Sequence, residues 1–235
     1  MTDVKIGLLT IGQAPRADGL ARDVGKALGN GFTVVERGAL DGLQLRDIER
    51  MAPEPADYRL ITLLKDGSSV EIAKRHLLPR LQEQITALEA EGTAATLLMC
   101  TGTFPAFRHK RALLAPQEAL YGIVQALAAG GRIGALTPLT GQVEQAREKW
   151  QAMGVPDTCV VPANPYGDRP VEAVAQAASR LQASGATVAF LDCFGYTTEM
   201  RAAVESEFHG AVVLARTMAA RIAADLAPVA ARTRA

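Results

Sequence analysis

Two cysteines stand where a short apolar run gives way to a loop. Ala95-Thr96-Leu97-Leu98-Met99 leads into Cys100-Thr101-Gly102-Thr103, and Thr187-Val188-Ala189-Phe190-Leu191-Asp192 leads into Cys193-Phe194-Gly195-Tyr196-Thr197. A cysteine at the carboxyl end of a strand, just ahead of a helix, lies near unpaired backbone N–H groups and the positive end of a helix dipole. Both favour thiolate over thiol. The same N–H groups, with the hydroxyls of Thr101 and Thr103, can hold a carboxylate or a developing oxyanion. One thiolate and one thiol at matching places would serve as general base and general acid. Either alone can equally be a small buried hydrophobe. Cys159, inside the strand-like run Thr158-Cys159-Val160-Val161, is expected in a core.

Other polar groups fall at the ends of strand-like runs, where ligands of open parallel sheets bind. The first run is followed by Thr10-Ile11-Gly12-Gln13-Ala14-Pro15-Arg16, in which Thr10 and Gln13 offer hydrogen bonds and Arg16 a fork for a carboxylate. Asp66 follows Arg59-Leu60-Ile61-Thr62-Leu63-Leu64 in an Asp-Gly turn and is a further candidate. Gly102, Gly195, Tyr196 and Thr197 complete the set of candidate substrate-binding residues. No metal is expected: His76, His109 and His209 are scattered, and no Cys-x-x-Cys or His-x-x-x-His spacing occurs. There is no G-x-S-x-G elbow, and neither G-x-G-x-x-G nor a Walker sequence occurs, so nucleotide cofactors have no support in the sequence.

The elements that must position these residues alternate in type. Strands are expected at 4–10, 33–38, 59–64, 95–100, 132–137, 158–163, 187–192 and 211–215, and helices at 76–91, 141–153, 170–184 and 217–227. Gly154 with Pro156, Pro170, and Gly185 punctuate the helix ends. Alternation of this kind predicts an α/β fold with mainly parallel sheets flanked by helices. An internal echo links Lys5-Ile6-Gly7-Leu8-Leu9-Thr10 to Arg132-Ile133-Gly134-Ala135-Leu136-Thr137, and the Cys100 segment to the Cys193 segment. It predicts two pseudo-symmetric lobes, 1–120 and 121–211, with 212–235 packing back on the first and the helix in it stopping at Pro228.

Composition narrows the function classes. The 235 residues carry 25 Lys+Arg against 25 Asp+Glu, with 5% aromatics, which is wrong for a nucleic-acid surface. The small basic cluster Arg108-His109-Lys110-Arg111 reads as a solvated helix face. No apolar run approaches the roughly 18 residues of a membrane helix, and the N-terminus lacks a signal-peptide pattern. Three cysteines, an odd number, point to a reduced, cytoplasmic protein.

The Thr10–Arg16 run, the Thr62-Leu63-Leu64-Lys65-Asp66-Gly67 stretch and Leu191-Asp192-Cys193-Phe194-Gly195-Tyr196 resemble the AroM family, over nearly the whole chain. The paired-cysteine pattern is similar to the wider aspartate/glutamate racemase superfamily, which also holds hydantoin racemases, maleate isomerases and arylmalonate decarboxylases. That resemblance implies an Asp/Glu racemase-like fold of two α/β lobes sharing one cofactor-free site. It implies Cys100 and Cys193 as acid/base groups, with Thr101 and Thr103 holding a carboxylate. Where glutamate-type racemases have Asp-Ser after the first strand this chain has Thr10-Ile11, and where they have Thr-His after the second cysteine it has Phe194-Gly195. The first difference argues against an α-amino acid substrate. The expected function is therefore a cofactor-independent isomerase or racemase working beside a carboxylate of a small anionic ligand. One alternative is a decarboxylase, lyase or isomerase using Cys193 alone; another is a non-catalytic small-molecule binding protein. The Ala-rich C-terminal helix would suit a homodimer contact.

Overall fold

The computed structural model describes residues 3–232, with side chains described through Ala227. The last residues of the expected returning segment, 233–235, and the first two of the chain lie outside the described residues. The chain divides into two compact units. One holds the residues up to Pro116 and those from Thr217 on, and the other holds Gln117–Arg216.

In the first unit, β1 (Val4–Thr10), α1 (Leu20–Leu28), β2 (Phe32–Gly38) and the short α2 (Leu45–Glu49) precede a hairpin of β3 (Arg59–Leu63) and β4 (Ser69–Ala73). Then come α3 (Lys74–Ala90), β5 (Ala95–Leu98) and β6 (Ala112–Leu114). The sheet has the order β2-β1-β5-β6, all parallel. The hairpin is a separate antiparallel pair. The expected strand 59–64 thus forms but stays out of the parallel sheet. An Asp-Gly turn returns the chain directly beside it, so it pairs with its own neighbour. The apolar stripe Leu77, Leu81, Ile85 and Leu88 of α3 is buried against Leu9, Leu60, Ile72 and Leu98. Each such leucine contributes about 1.5–3 kcal/mol on burial. The helix starts at Lys74, earlier than the stripe indicates, because its first turn carries no apolar residue to mark it.

In the second unit, α4 (Gln117–Ala128), β7 (Arg132–Thr137), α5 (Val143–Ala152), β8 (Thr158–Pro162) and α6 (Pro170–Ala183) are followed by β9 (Ala186–Leu191), α7 (Thr198–Glu207) and β10 (Ala211–Leu214). Gly154 and Gly185 adopt the positive φ angles, 78° and 77°, that their place after α5 and α6 requires. The sheet is β10-β9-β7-β8, again all parallel. Its core joins Leu136, Val174, Leu181, Leu191, Met200 and Val204. Finally α8 (Ala215–Arg232) begins in this unit and belongs to the first from Thr217. It runs past Pro228, since a proline removes one hydrogen bond without obliging the chain to leave the helix.

Reading the second sheet backwards gives β8-β7-β9-β10, the same chain order as β2-β1-β5-β6. The registers agree as well. Leu9 lies opposite Leu98 and Leu136 opposite Leu191. Past the strand ends, the Met99 N–H donates to the Leu9 carbonyl at 2.8 Å and the Asp192 N–H to the Leu136 carbonyl at 3.0 Å. Cys100 and Cys193 are therefore at equivalent positions. Gly7 and Gly134 are equivalent too. A Cβ on either would lie 2.9 Å from a leucine methyl, of Leu88 in α3 or of Leu181 in α6, so both admit a helix close to the sheet.

The basic cluster Arg108–Arg111 belongs to the irregular loop between β5 and β6, not to a helix face. Its backbone is tied to α3: the Lys110 and Arg111 N–H groups donate to the Glu89 carboxylate at 2.6 and 2.8 Å. Among the described residues no helix is long and apolar enough to cross a membrane, and no group of His, Cys, Asp and Glu could hold a metal ion.

Candidate functional site

After β1 the polar side chains turn inward to their own unit. The Thr10 hydroxyl accepts from the Gly12 N–H at 3.3 Å. The Gln13 amide donates to the Leu43 carbonyl at 3.1 Å and accepts from the Lys65 N–H at 3.0 Å, tying this loop to the hairpin. Arg16 is buried and forks onto Asp18 through bonds of 3.1 and 2.6 Å. Asp66 sits exposed at the hairpin turn, where its carboxylate accepts from the Ser68 hydroxyl and N–H. Those bonds hold its carboxyl below the usual carboxylate range. Gln13 thus joins separate loops of the first unit, whereas the bonds of Arg16 to Asp18 and of Asp66 to Ser68 stay within their own turns.

The Cys100 turn is different. Cys100 is buried, and the Gly102 N–H donates to its Sγ at 3.3 Å. Thr101 is buried beside it and Thr103 is exposed. The Thr103 N–H donates to the Tyr58 hydroxyl at 3.2 Å, and the Thr103 carbonyl accepts from Lys74 Nζ at 3.0 Å. Lys74 Nζ also stands 4.1 Å from the centre of the Tyr58 ring, a cation–π contact. Burial pushes the Lys74 ammonium below its ordinary pKa, and the charge of Cys100 opposes that fall. No helix follows Cys100, contrary to the sequence expectation. The chain runs irregularly to β6 because Gly102, Thr103 and Pro105 break any helical start.

In the second unit the Gly195 N–H donates to Cys193 Sγ, also at 3.3 Å. Cys193 is half-buried, and the Tyr166 hydroxyl lies 4.0 Å from its sulfur. Gly195 admits that ring, since a Cβ there would strike the Tyr166 hydroxyl. The turn is held from beneath by Arg216, fully buried, whose Nε and Nη2 donate to the Phe194 carbonyl at 3.1 and 2.6 Å. Tyr196 is fully buried and donates to the Ala163 carbonyl at 2.7 Å; burial first, then the charge of Cys193, pushes its phenol well above the ordinary value. Thr197 caps α7 by accepting from the Met200 N–H at 3.2 Å. Here a helix does follow the cysteine.

Behind Cys193 the Asp192 carboxylate is buried and accepts from Lys149 Nζ at 3.1 Å and from the Tyr121 hydroxyl. The Tyr121 ring stacks on Trp150 at 4.1 Å. Burial, then the Asp192 charge, raises the Tyr121 pKa well above its ordinary value.

Within the first unit the structure thus gathers Cys100, Thr101, Gly102 and Thr103, and within the second Cys193, Gly195, Tyr196 and Thr197. Sequence reasoning missed Tyr58, Lys74, Tyr166, Lys149 and Arg216. Each comes from an element remote in the chain, so no spacing could signal it. The one local hint was Arg216, a charge directly after the strand-like run Val212-Val213-Leu214-Ala215.

Comparisons with known proteins agree with this architecture. The structure is similar to allantoin racemase from Pseudomonas fluorescens, with a TM-score of 0.64 and 16% identity, covering 96% of this chain and 92% of that one. It is similar to glutamate racemase from Francisella tularensis in complex with D-glutamate, with a TM-score of 0.59 and 12% identity, covering 96% and 81%. Aspartate racemase from Picrophilus torridus follows at a TM-score of 0.56 and 10% identity, covering 94% of each chain. At these identities the likeness establishes the fold, that of the Asp/Glu racemases. No curated protein matches the chain in sequence. The family described as AroM protein matches residues 6–227, nearly the whole length, and the chain belongs to that AroM family.

Proposed function

We propose that the protein is a cofactor-independent isomerase or racemase that works at a carbon next to a carboxylate of a small anionic substrate, with Cys100 and Cys193 as its acid/base groups. The observation that carries this reading is the repeated Cys-x-Gly turn. Two thiols stand at equivalent positions, each accepting an N–H from the glycine two residues on, at 3.3 Å in both. Such a bond favours the thiolate over the thiol. One thiolate takes the C–H proton, the C–H electron pair passes into the adjacent carboxylate, and the other thiol supplies a proton to the opposite side of the carbon. The two sulfurs end with their protonation states exchanged. Buried Thr101 and the loop N–H groups would stabilise the charge gathering on the carboxylate oxygens. With Thr10-Ile11 after β1 the substrate is a carboxylate without an α-ammonium group.

Incubating the protein with a panel of small chiral or unsaturated carboxylates in deuterated water, and reading C–H exchange by NMR, tests the reading. Cys100→Ser and Cys193→Ser should each lower exchange of a positive substrate at least a hundredfold, the scale of general acid–base catalysis. Full turnover in both variants would sink the proposal. A second reading, in which Cys193 works alone, draws on Tyr166, whose hydroxyl lies 4.0 Å from its sulfur as a ready proton partner. It predicts a mild Cys100→Ser and a severe Cys193→Ser.

A further inference from the structure

The Gly195 N–H that reaches the Cys193 sulfur belongs to the central peptide of a tight turn. The Tyr196 N–H donates back to the Cys193 carbonyl at 3.4 Å, which leaves Phe194 and Gly195 at the turn's centre. Such a central peptide has two orientations half a rotation apart. The flipped one needs a positive φ at the third residue, which glycine accepts freely. Gly195 does not take a positive φ, and its N–H stays on the sulfur at 3.3 Å. A residue with a side chain at 195 would discourage the flip, but a Cβ there would strike the Tyr166 hydroxyl. The orientation is fixed instead from the other end of the same peptide.

That end is held by Arg216, which is fully buried. Its Nε and Nη2 donate to the Phe194 carbonyl at 3.1 and 2.6 Å, and Nη2 also reaches the Gly195 carbonyl at 3.4 Å. Leu214 of β10 lies opposite Leu191 of β9, so Arg216 and Cys193, each two residues further on, leave adjacent strands at one level. The Phe194 carbonyl and the Gly195 N–H are opposite ends of one planar group. A guanidinium on the carbonyl therefore aims the N–H at the sulfur. It also draws electron density toward the carbonyl oxygen, which makes the N–H a stronger donor.

We infer that Arg216 is a positioning residue for Cys193: through the Phe194–Gly195 peptide it keeps an N–H on the sulfur and so favours the thiolate. The inference rests on the two-cysteine reading only for the use to which that thiolate is put. Other groups face the same thiol. The Tyr166 hydroxyl lies 4.0 Å from it, and the Asp192 carboxylate just before it accepts from Lys149 and Tyr121. Burial, then the charge of Cys193, raises the pKa of the Tyr196 phenol. All of these remain when Arg216 is replaced, so the comparison isolates the peptide.

The test is pH-dependent alkylation of the intact protein by iodoacetamide, read per cysteine by mass spectrometry. Arg216→Met fills the space without a donor. It should raise the Cys193 midpoint by about one pH unit, the scale on which a hydrogen bond to the charged form acts. Arg216→Lys keeps the charge but not the fork, and should give a smaller rise. The profiles of Cys100, in the other unit, and of Cys159, in β8 of the same unit, should not move. An unmoved Cys193 midpoint in both variants overturns the inference. So does an equal shift at Cys159, which would mean that the second unit has loosened. The unaltered protein gives a second test that does not depend on replacing a buried arginine. The Gly195 amide should give one NMR signal that titrates at the Cys193 midpoint, and Cys193→Ser should abolish the titration. A Gly195 amide that does not titrate, or that splits into two exchanging signals, overturns the inference as well. Should no carboxylate exchange its C–H while Arg216→Met still moves the Cys193 midpoint, the proposed function fails and the role of Arg216 stands.

Discussion

The first unit ties a lysine to the loop of its cysteine through the Thr103 carbonyl, and the second sets a tyrosine beside its cysteine sulfur. The strands beneath are alike in order, register and even in the glycine that lets a helix approach, Gly7 or Gly134. The environments differ because of what is inserted around the shared sheet. The first unit carries the hairpin β3–β4, whose entry supplies Tyr58 and whose exit supplies Lys74, and it has no helix between β5 and β6. The second lacks a hairpin and places α7 directly after the cysteine turn. A duplicated scaffold thus fixes where two sulfurs sit, while the connections decide which side chains gather around each cysteine loop.

The position before each cysteine makes the same point in reverse. Met99 and Asp192 are equivalent, both reaching back to the first strand of their sheet. Met99 is a plain core residue, 1% exposed. Asp192 carries a charge into the core and needs Lys149 and Tyr121 to hold it. The largest effect expected is therefore on stability of the second unit. Lys149→Met alone leaves a buried carboxylate without its cation and should cost about 3–5 kcal/mol. Adding Asp192→Met, the residue the first unit uses there, should restore most of that loss, because an apolar pair avoids the desolvation of both charges. Denaturant unfolding of the two single variants and the double variant checks it. Additive losses would mean that the pair is not coupled and that this contrast between the units is superficial.

Much of this contrast was hidden from the sequence, and the reasons are physical. Strands, the parallel sheets and both cysteine loops were readable because they depend on local patterns: apolar runs, a Gly-Pro stop, a Pro-initiated helix. The repeat was visible as Lys5-Ile6-Gly7 against Arg132-Ile133-Gly134, and the matching registers give it a structural meaning. The fate of Arg59–Leu64 was not readable, since a strand's partner is chosen by the turn and neighbours it meets. Gln13, Arg16 and Asp66 read as ligand contacts because they follow strand-like runs, whereas the partners their side chains take within the protein were not readable: Gln13 spans from Leu43 to Lys65. Lys74 lies outside every expected element, after the strand 59–64 and before the helix 76–91, and no periodicity includes it.

A sharper probe of the shared scaffold is the glycine pair. Gly7→Ala would press a methyl to 2.9 Å from Leu88 Cδ1 and 3.1 Å from the Thr96 hydroxyl. Gly134→Ala would meet Leu181 Cδ1 at the same 2.9 Å, but also the Cβ of Ala186 at 3.1 Å. Overpacking of this size costs about 1–3 kcal/mol. Leucine methyls and a threonine rotor can give way, whereas a Cβ moves only with its backbone. Gly134→Ala should accordingly lose more stability than Gly7→Ala when thermal unfolding is compared. The opposite ranking would mean that the helix over the second sheet is the looser of the two.

The smallest effect concerns the helix that only the second cysteine possesses. Thr197 caps α7 through its hydroxyl, and Thr197→Ala should cost about 1 kcal/mol, with Thr197→Ser costing little because it keeps the acceptor. Fraying that first turn also weakens the positive helix end downstream of Cys193. A helix terminus amounts to roughly half a unit charge and acts over a single turn. The Cys193 alkylation midpoint should therefore rise by only a few tenths of a pH unit in Thr197→Ala. A rise of a full unit would mean that the end of α7, and not the Gly195 N–H on the sulfur, dominates the charge preference of that thiol.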